Sequence, residues 1–354
     1  MSLEHQVASG QTIGVAMSGG VDSTVTAALL MENGYKVHGF FMLLPLDSLE
    51  QQHEKVSHVA EQLQIPLTCV DIRDSFQEIV IRHFTGLYKQ GLTPNPCVHC
   101  NRHIKFGLLM QTIQEHGIAL MSTGHYARIR QNKTVAQLWR GKDPQKDQSY
   151  FLCRLTPGQL KHLVLPLGNY VKDDTYRKAH ELGFDFSGQE SQDVCFLQEN
   201  LTDFLASHGI CPVQGDIVTT SGKCIGVHTG IWNYTVGQRR GLGIPDATPW
   251  YVVALDARHN QVIVGKNEQL MLNTLIVRDT QWHMTPPLQW EGDVQIRSRH
   301  RAAAAELHRL SDQRYQIRFD TPQRAVTPGQ YAVFYEADHL VGSGIIEQQS
   351  VVEV

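Results

Sequence analysis

The chain has 354 residues, 42% of them apolar and 19% charged, and a net charge of −4. That length suggests two or three domains with sizeable cores. No stretch approaches the roughly 18–20 continuous apolar residues of a membrane span. The polar Met1–Gln11 segment lacks the regions of a signal peptide, so a soluble cytoplasmic protein is expected. Seven cysteines, an odd count, do not read as a disulfide framework.

In chain order, the apolar run Thr12–Met17 reads as a strand and Thr24–Met31 as a helix. Lys36–Leu44 is a second strand, Gln51–Leu63 a helix with apolar residues at helical spacing, and Leu67–Asp71 a third strand. Ser75–Tyr88 and Asn101–His116 read as helices, and Ile118–Ser122 as a strand ending at Thr123-Gly124-His125. This βαβα order implies an α/β fold whose parallel sheet binds ligands at its strand C-terminal ends. After about residue 205 helical periodicity fades and glycines punctuate short runs. Trp250–Leu255 and Gln261–Gly265 look like a hairpin. Short strands follow at Thr274–Arg278, Asp293–Arg297, Arg314–Phe319, Ala332–Glu336 and Gly344–Gln348, which suggests a small β-barrel.

Ser18-Gly19-Gly20-Val21-Asp22-Ser23 joins the first strand to the first helix. Glycines let backbone N–H groups close on a bound group, and a helix N-terminus carries partial positive charge, so the turn suits phosphate. It is neither a Walker loop nor a dinucleotide fingerprint. It resembles the PP-loop of ATP pyrophosphatases, which cut ATP between the α and β phosphates and place AMP on a substrate oxygen.

Cys97 and Cys100 lie in a proline-stiffened loop, Thr93–Asn101, with Cys100 at the expected helix start, where a thiol is favoured as thiolate. Cys97-x-x-Cys100 could be half a zinc site, a redox pair, or two ligands of an iron–sulfur cluster with Cys195 as the third. Cys69 and Cys153 sit in apolar runs and are expected to be buried and inert. Seven arginines face three acids between Arg297 and Arg324. Such a patch can bind phosphate on an acidic protein, or be a solvated β surface.

Together these motifs resemble the tRNA-specific 2-thiouridylase family over nearly the whole chain. The anchors are Ala16–Ser23, Phe41-Met42, Thr93–Asn101 with Ile104–Gly107, Thr123–Tyr126, Lys146–Leu152, Ser191–Phe196, Tyr234–Gly241 and Pro328–Gln330. The resemblance implies a Rossmann-like PP-loop domain (residues 1–205), a small central tRNA-binding domain (206–270) and a C-terminal tRNA-binding β-barrel (271–354). It implies that ATP is bound by Ala16, Met17, Ser18, Gly19, Gly20, Val21, Asp22, Ser23, Met42 and Gly124. Cys100 would be the catalytic nucleophile and Cys195 the carrier of a persulfide. Asn95, Pro96 and Cys97 would face the target base. His125, Lys146, Asp147, Gln148, Arg299, His300 and Gln330 would contact tRNA.

The implied chemistry is ATP-dependent 2-thiolation of the wobble uridine in the tRNA anticodon stem-loop. A uridine C2 carbonyl is a poor electrophile, and adenylation turns its oxygen into AMP; a persulfide can then attack C2 and a second thiol resolve it. Mg2+ is expected with ATP. The sulfur donor would be a cysteine desulfurase or a sulfur-relay protein. An anticodon loop gives up a base more cheaply than a duplex does. Two departures stand out. Cys97 occupies the position where the family usually has Asp, a residue thought to assist proton transfer. Leu43-Leu44-Pro45 replaces the usual Lys-Asn-Trp, which puts the adenine-side contacts after Met42 in doubt. The first departure keeps open the same reaction with a 4Fe–4S cluster on Cys97, Cys100 and Cys195. More remote readings are another PP-loop ATP pyrophosphatase and a non-catalytic RNA-binding protein.

Overall fold

The structure is a computed structural model and describes residues 10–131, 135–186, 194–197 and 200–348. Its contacts divide it into two units. One comprises Met1–Val80, Cys97–Gln192 and Asp338–Val341; the other comprises Ile81–Pro96, Asp193–Ala337 and Gly342–Val354.

In the first unit, short apolar strands alternate with helices and pair in parallel: β1 (Thr12–Ala16), β2 (Lys36–Leu43), β3 (Leu67–Asp71) and β4 (Leu120–Ser122). A hairpin, β5 (Ala127–Gln131) and β6 (Ala136–Arg140), precedes β7 (Leu163–Val164). The parallel sheet runs β3-β2-β1-β4-β7. Ile13, Val15 and Phe41 of this sheet are buried in one core with Val25 and Leu29 of helix α1 (Val21–Glu32) and Val56 and Val59 of α2 (Leu49–Gln62). The order reverses between β1 and β4. The loops leaving those two strands therefore flank the crevice in which such sheets bind ligands.

Cys153 is fully buried as expected, but Cys69 is exposed. Leu67–Asp71 is the edge strand, so only one of its neighbours covers it. The β5–β6 hairpin and β7 were not foreseen; β7 has two residues, too few for a periodic signal.

The helix expected from Asn101 begins earlier, at Pro96, and runs over residues 96–115. Proline fits the first helical turn because it has no N–H to leave unpaired there. Cys100 therefore lies one turn inside the helix, and Cys97 rather than Cys100 stands at its start. Asn101–Leu109 is wound as a π-helix, a form that appears mostly as single-turn bulges and often at functional sites. The Gln159 amide donates to the carbonyls of Arg102 and Phe106 inside it, each at 2.8 Å. Gln159 is itself held in a capping box with Thr156.

The second unit holds a four-stranded sheet and the barrel except for Asp338–Val341. The small sheet runs β10 (Tyr251–Asp256), β11 (Gln261–Gly265), β8 (Gly215–Thr219), β9 (Cys224–His228), and β10–β11 is the expected hairpin. The barrel strands are β12 (Met271–Trp282), β13 (Gln289–Gln295), β14 (Ala303–Ser311), β15 (Arg314–Arg324), β16 (Tyr331–Glu336) and β17 (His339–Ile346). They follow the order β12-β15-β14-β13-β16-β17 and close through an antiparallel β12–β17 pairing. β14 escaped the sequence reading because Ala303-Ala304-Ala305 carries little strand propensity. No helix among the described residues is long and apolar enough to cross a membrane.

Candidate active site

The loop after β1 is built from its own hydroxyls. Ser23 Oγ donates to Gly20 O at 3.0 Å and accepts the Ser18 N–H at 3.2 Å, and Thr24 Oγ1 donates to Gly20 O at 3.0 Å. Gly19 has φ +73, and a Cβ there would meet Val56 N at 3.0 Å. Ser18 is exposed while Met17, Val21 and Ser23 are buried, so the loop presents its backbone and keeps its apolar side chains inside. No side chain caps α1 at Gly20, and a helix leaves its first N–H groups without intrahelical partners. The result is a cradle with anion-binding character.

Gly124, on the loop after β4, lies against the cradle. A Cβ there would come within 2.8 Å of Asp22 Cβ and 2.9 Å of the Asp22 backbone carbon. Asp22 is also fixed from its other end: Lys172 Nζ lies 2.7 and 2.9 Å from its two oxygens, and the Tyr126 hydroxyl donates to Oδ1 at 2.8 Å. Lys172 is buried, and Thr175 lies 2.8 Å from the same Tyr126 hydroxyl. Sequence reasoning gave Tyr126 no role and missed Lys172 and Thr175. They lie far along the chain from Asp22, and nothing local marks them. Met42, half-buried, ends β2 beside Val70 of β3.

The residues expected on tRNA divide into two groups. His125 is buried; its Nδ1 lies 2.6 Å from Thr123 Oγ1, and burial and the nearby Lys105 charge hold it well below the ordinary histidine range. Asp147 accepts from Gly141 N, Ser149 N, Ser149 Oγ and Arg140, at 2.8 to 3.1 Å. Gln148 Oε1 accepts the Tyr126 N–H at 3.0 Å. Gln330 Nε2 donates to Thr93 O at 2.9 Å and to Pro94 O at 3.2 Å. These four hold loops together. Lys146 is half-buried. Arg299 is exposed on a turn that Gln295 braces by donating to the carbonyls of Arg297 and Ser298, each at 3.0 Å. His300, half-buried beside it, is lowered by burial and by Arg297.

Three of the seven arginines between Arg297 and Arg324 are paired with acids. Arg309 pairs with Asp312 at 2.7 Å, Arg314 with Glu347 at 2.8 Å and Arg318 with Glu306 at 2.6 Å. Arg297 donates to Val236 O at 2.9 Å and to Thr327 Oγ1.

Cys97 is exposed and Cys100 half-buried in the first unit. The next residue, Asn101, is buried and donates to Phe151 O at 3.0 Å. Cys195, in the second unit, is exposed. Phe196 beside it is buried against Phe84 and Phe204, with ring centroids 5.1 and 5.4 Å away, so an apolar side chain anchors a polar, thiol-bearing turn. Ser191, Gln192 and Asp193 of that anchor lie outside the described residues. Among the described residues no three His, Cys, Asp or Glu side chains are grouped so as to hold a metal ion.

Three family profiles match the chain: the tRNA methyl transferase HUP domain over residues 11–199, the tRNA methyl transferase PRC-barrel domain over 202–266, and the aminomethyltransferase beta-barrel domain over 272–346. A tRNA-specific 2-thiouridylase MnmA from Desulfotalea psychrophila is 47% identical over 338 residues, covering 94% of this chain and 98% of that one. One from Syntrophotalea carbinolica is 44% identical over 343 residues, covering 94% and 97%. A solved 4-thiouridine synthetase–RNA complex with bound ATP is 16% identical at a TM-score of 0.34, covering 50% of this chain and 42% of that one. That likeness is too slight to carry weight.

Proposed function

We propose that this chain, which belongs to the tRNA-specific 2-thiouridylase family, uses ATP to replace the C2 oxygen of a tRNA wobble uridine with sulfur. The observation that carries the proposal is the Ser18–Ser23 cradle, closed by Gly124 at the reversal point of the parallel sheet. A bound ATP lies with its phosphates against this backbone, and Met42 borders the adenine. The glycines leave the space that a phosphate needs, and the helix N-terminus supplies N–H donors without moving. The Asp22 carboxylate does not fit Mg2+ as a ligand, since both of its oxygens already face the Lys172 ammonium at 2.7 and 2.9 Å, so no step is placed on the metal here.

The uridine C2 oxygen attacks the α-phosphorus and pyrophosphate leaves. The terminal sulfur of a persulfide on Cys195 then attacks C2, and AMP departs with the original oxygen. The Cys100 thiolate attacks the Cys195 sulfur, which releases the base as 2-thiouridine and leaves a Cys100–Cys195 disulfide for an external thiol to reduce. Asn95, Pro96 and Cys97 face the base. Lys146, Arg299 and His300, with the central sheet and the barrel (206–270 and 271–354), hold the anticodon stem-loop, while buried His125 supports the loop after β4. A cysteine desulfurase or a sulfur-relay protein loads Cys195.

The cluster route on Cys97, Cys100 and Cys195 is the second reading. Anaerobic purification separates the two. Colourless, iron-free protein that consumes ATP with tRNA and a persulfide donor supports the persulfide route. Activity that tracks bound iron overturns it, and no tRNA-dependent AMP from either preparation overturns the proposal itself.

A further inference from the structure

Pro94 and Pro96 lack N–H groups, so residues 92–95 cannot build a regular backbone network of their own. The carbonyls of Thr93 and Pro94 need donors from elsewhere. Both come from one amide: Gln330 Nε2 reaches Thr93 O at 2.9 Å and Pro94 O at 3.2 Å. Its two hydrogens match its two acceptors. Gln330 is pinned in turn, for Ile346 N donates to its carbonyl at 2.8 Å. Thr93 N donates to Pro328 O at 3.0 Å. Gly329, at φ +89, touches the same segment closely enough that a Cβ would sit 3.0 Å from Thr93 O. Pro328-Gly329-Gln330 is a clamp on the backbone that enters the helix of Cys97 and Cys100.

We propose that Gln330 is a positioning residue for the cysteine-bearing segment. The inference rests on the reading of Cys100 as the nucleophile. Its geometric part stands on the clamp alone. By holding Thr93 and Pro94, Gln330 fixes the backbone immediately ahead of Pro96 and so sets where the first helical turn begins.

The test is the alkylation rate of each cysteine by iodoacetamide, read by peptide mass spectrometry on the full chain without ATP or tRNA. Gln330→Ala removes the amide, and Gln330→Glu keeps the size but removes both donors. Each should raise the rate at Cys100 by about fivefold or more, the effect of losing one net hydrogen bond in a local opening. Cys69 and Cys224, exposed elsewhere, should react as in the unaltered protein. An unchanged Cys100 rate overturns the proposal. A uniform rise at all cysteines also overturns it, since that is general destabilisation. None of these readouts requires thiolation, so a failure of the functional assignment would show separately, as tRNA that gains no sulfur.

Discussion

Gly20→Ala and Gly124→Ala separate what the cradle needs for folding from what it needs for ligand. At Gly124 a methyl group would sit 2.8 Å from Asp22 Cβ, 2.9 Å from its backbone carbon and 3.1 Å from Ser23 N. Two of these are backbone atoms of a helix start that is held from the other side by Lys172 and Tyr126, so the neighbour cannot yield cheaply. Overpacking of this kind costs about 1–3 kcal/mol, or a fall in Tm of roughly 2–12 °C. At Gly20 the nearest atom is Ser18 Oγ at 3.6 Å, an ordinary contact, and φ is −90. Alanine is a poorer N-cap than glycine, so Gly20→Ala should cost about 1 kcal/mol or less. Yet its methyl group enters the space assigned to phosphate. Calorimetry of ATP binding beside thermal denaturation checks both. The expected result is that Gly20→Ala loses ATP affinity by about tenfold or more with little loss of stability, whereas Gly124→Ala loses both. Undiminished ATP affinity in Gly20→Ala would refute the placement of phosphate in this loop.

Lys172→Met should destabilise the fold by about 1–3 kcal/mol, less than a fully buried pair because the Asp22 side chain is 35% exposed; urea denaturation measures it, and a neutral variant would contradict the brace. Arg299→Ala should lower the salt slope of tRNA binding by about one, and Arg318→Ala, whose cation already faces Glu306 at 2.6 Å, by less. Equal slopes would return Arg299 to a solvated surface. His125 titrates far below an ordinary histidine because burial, then Lys105, disfavours its charge. The unfolded chain gains a proton as pH falls through about 6.5 that the folded chain refuses, so stability is complete above that pH and declines below it. His125→Gln should flatten that decline by about one proton; urea midpoints across that range would show it, and an unchanged slope would contradict it.

The parallel sheet was legible because β1 and β2 are apolar runs bounded by turn residues, and the cradle because six residues carry a local signature. The barrel was legible in part: β14 hid behind alanines. The glutamines were not legible. Gln148, Gln159, Gln295 and Gln330 each brace a loop through bonds to backbone, and no local pattern announces such a brace. The same limit hid Lys172. Pro96 was misread as loop because proline marks both a turn and a first helical residue, and only the fold decides between them.

The central claim is that this chain adenylates a tRNA uridine and replaces its C2 oxygen with sulfur. Nucleoside mass spectrometry of tRNA incubated with the protein, ATP and a persulfide donor tests it most directly. 2-Thiouridine should appear at the wobble position, only with ATP, and be lost in Cys100→Ser and Cys195→Ser. Unmodified uridine in every sample, or 2-thiouridine formed without ATP, would contradict it.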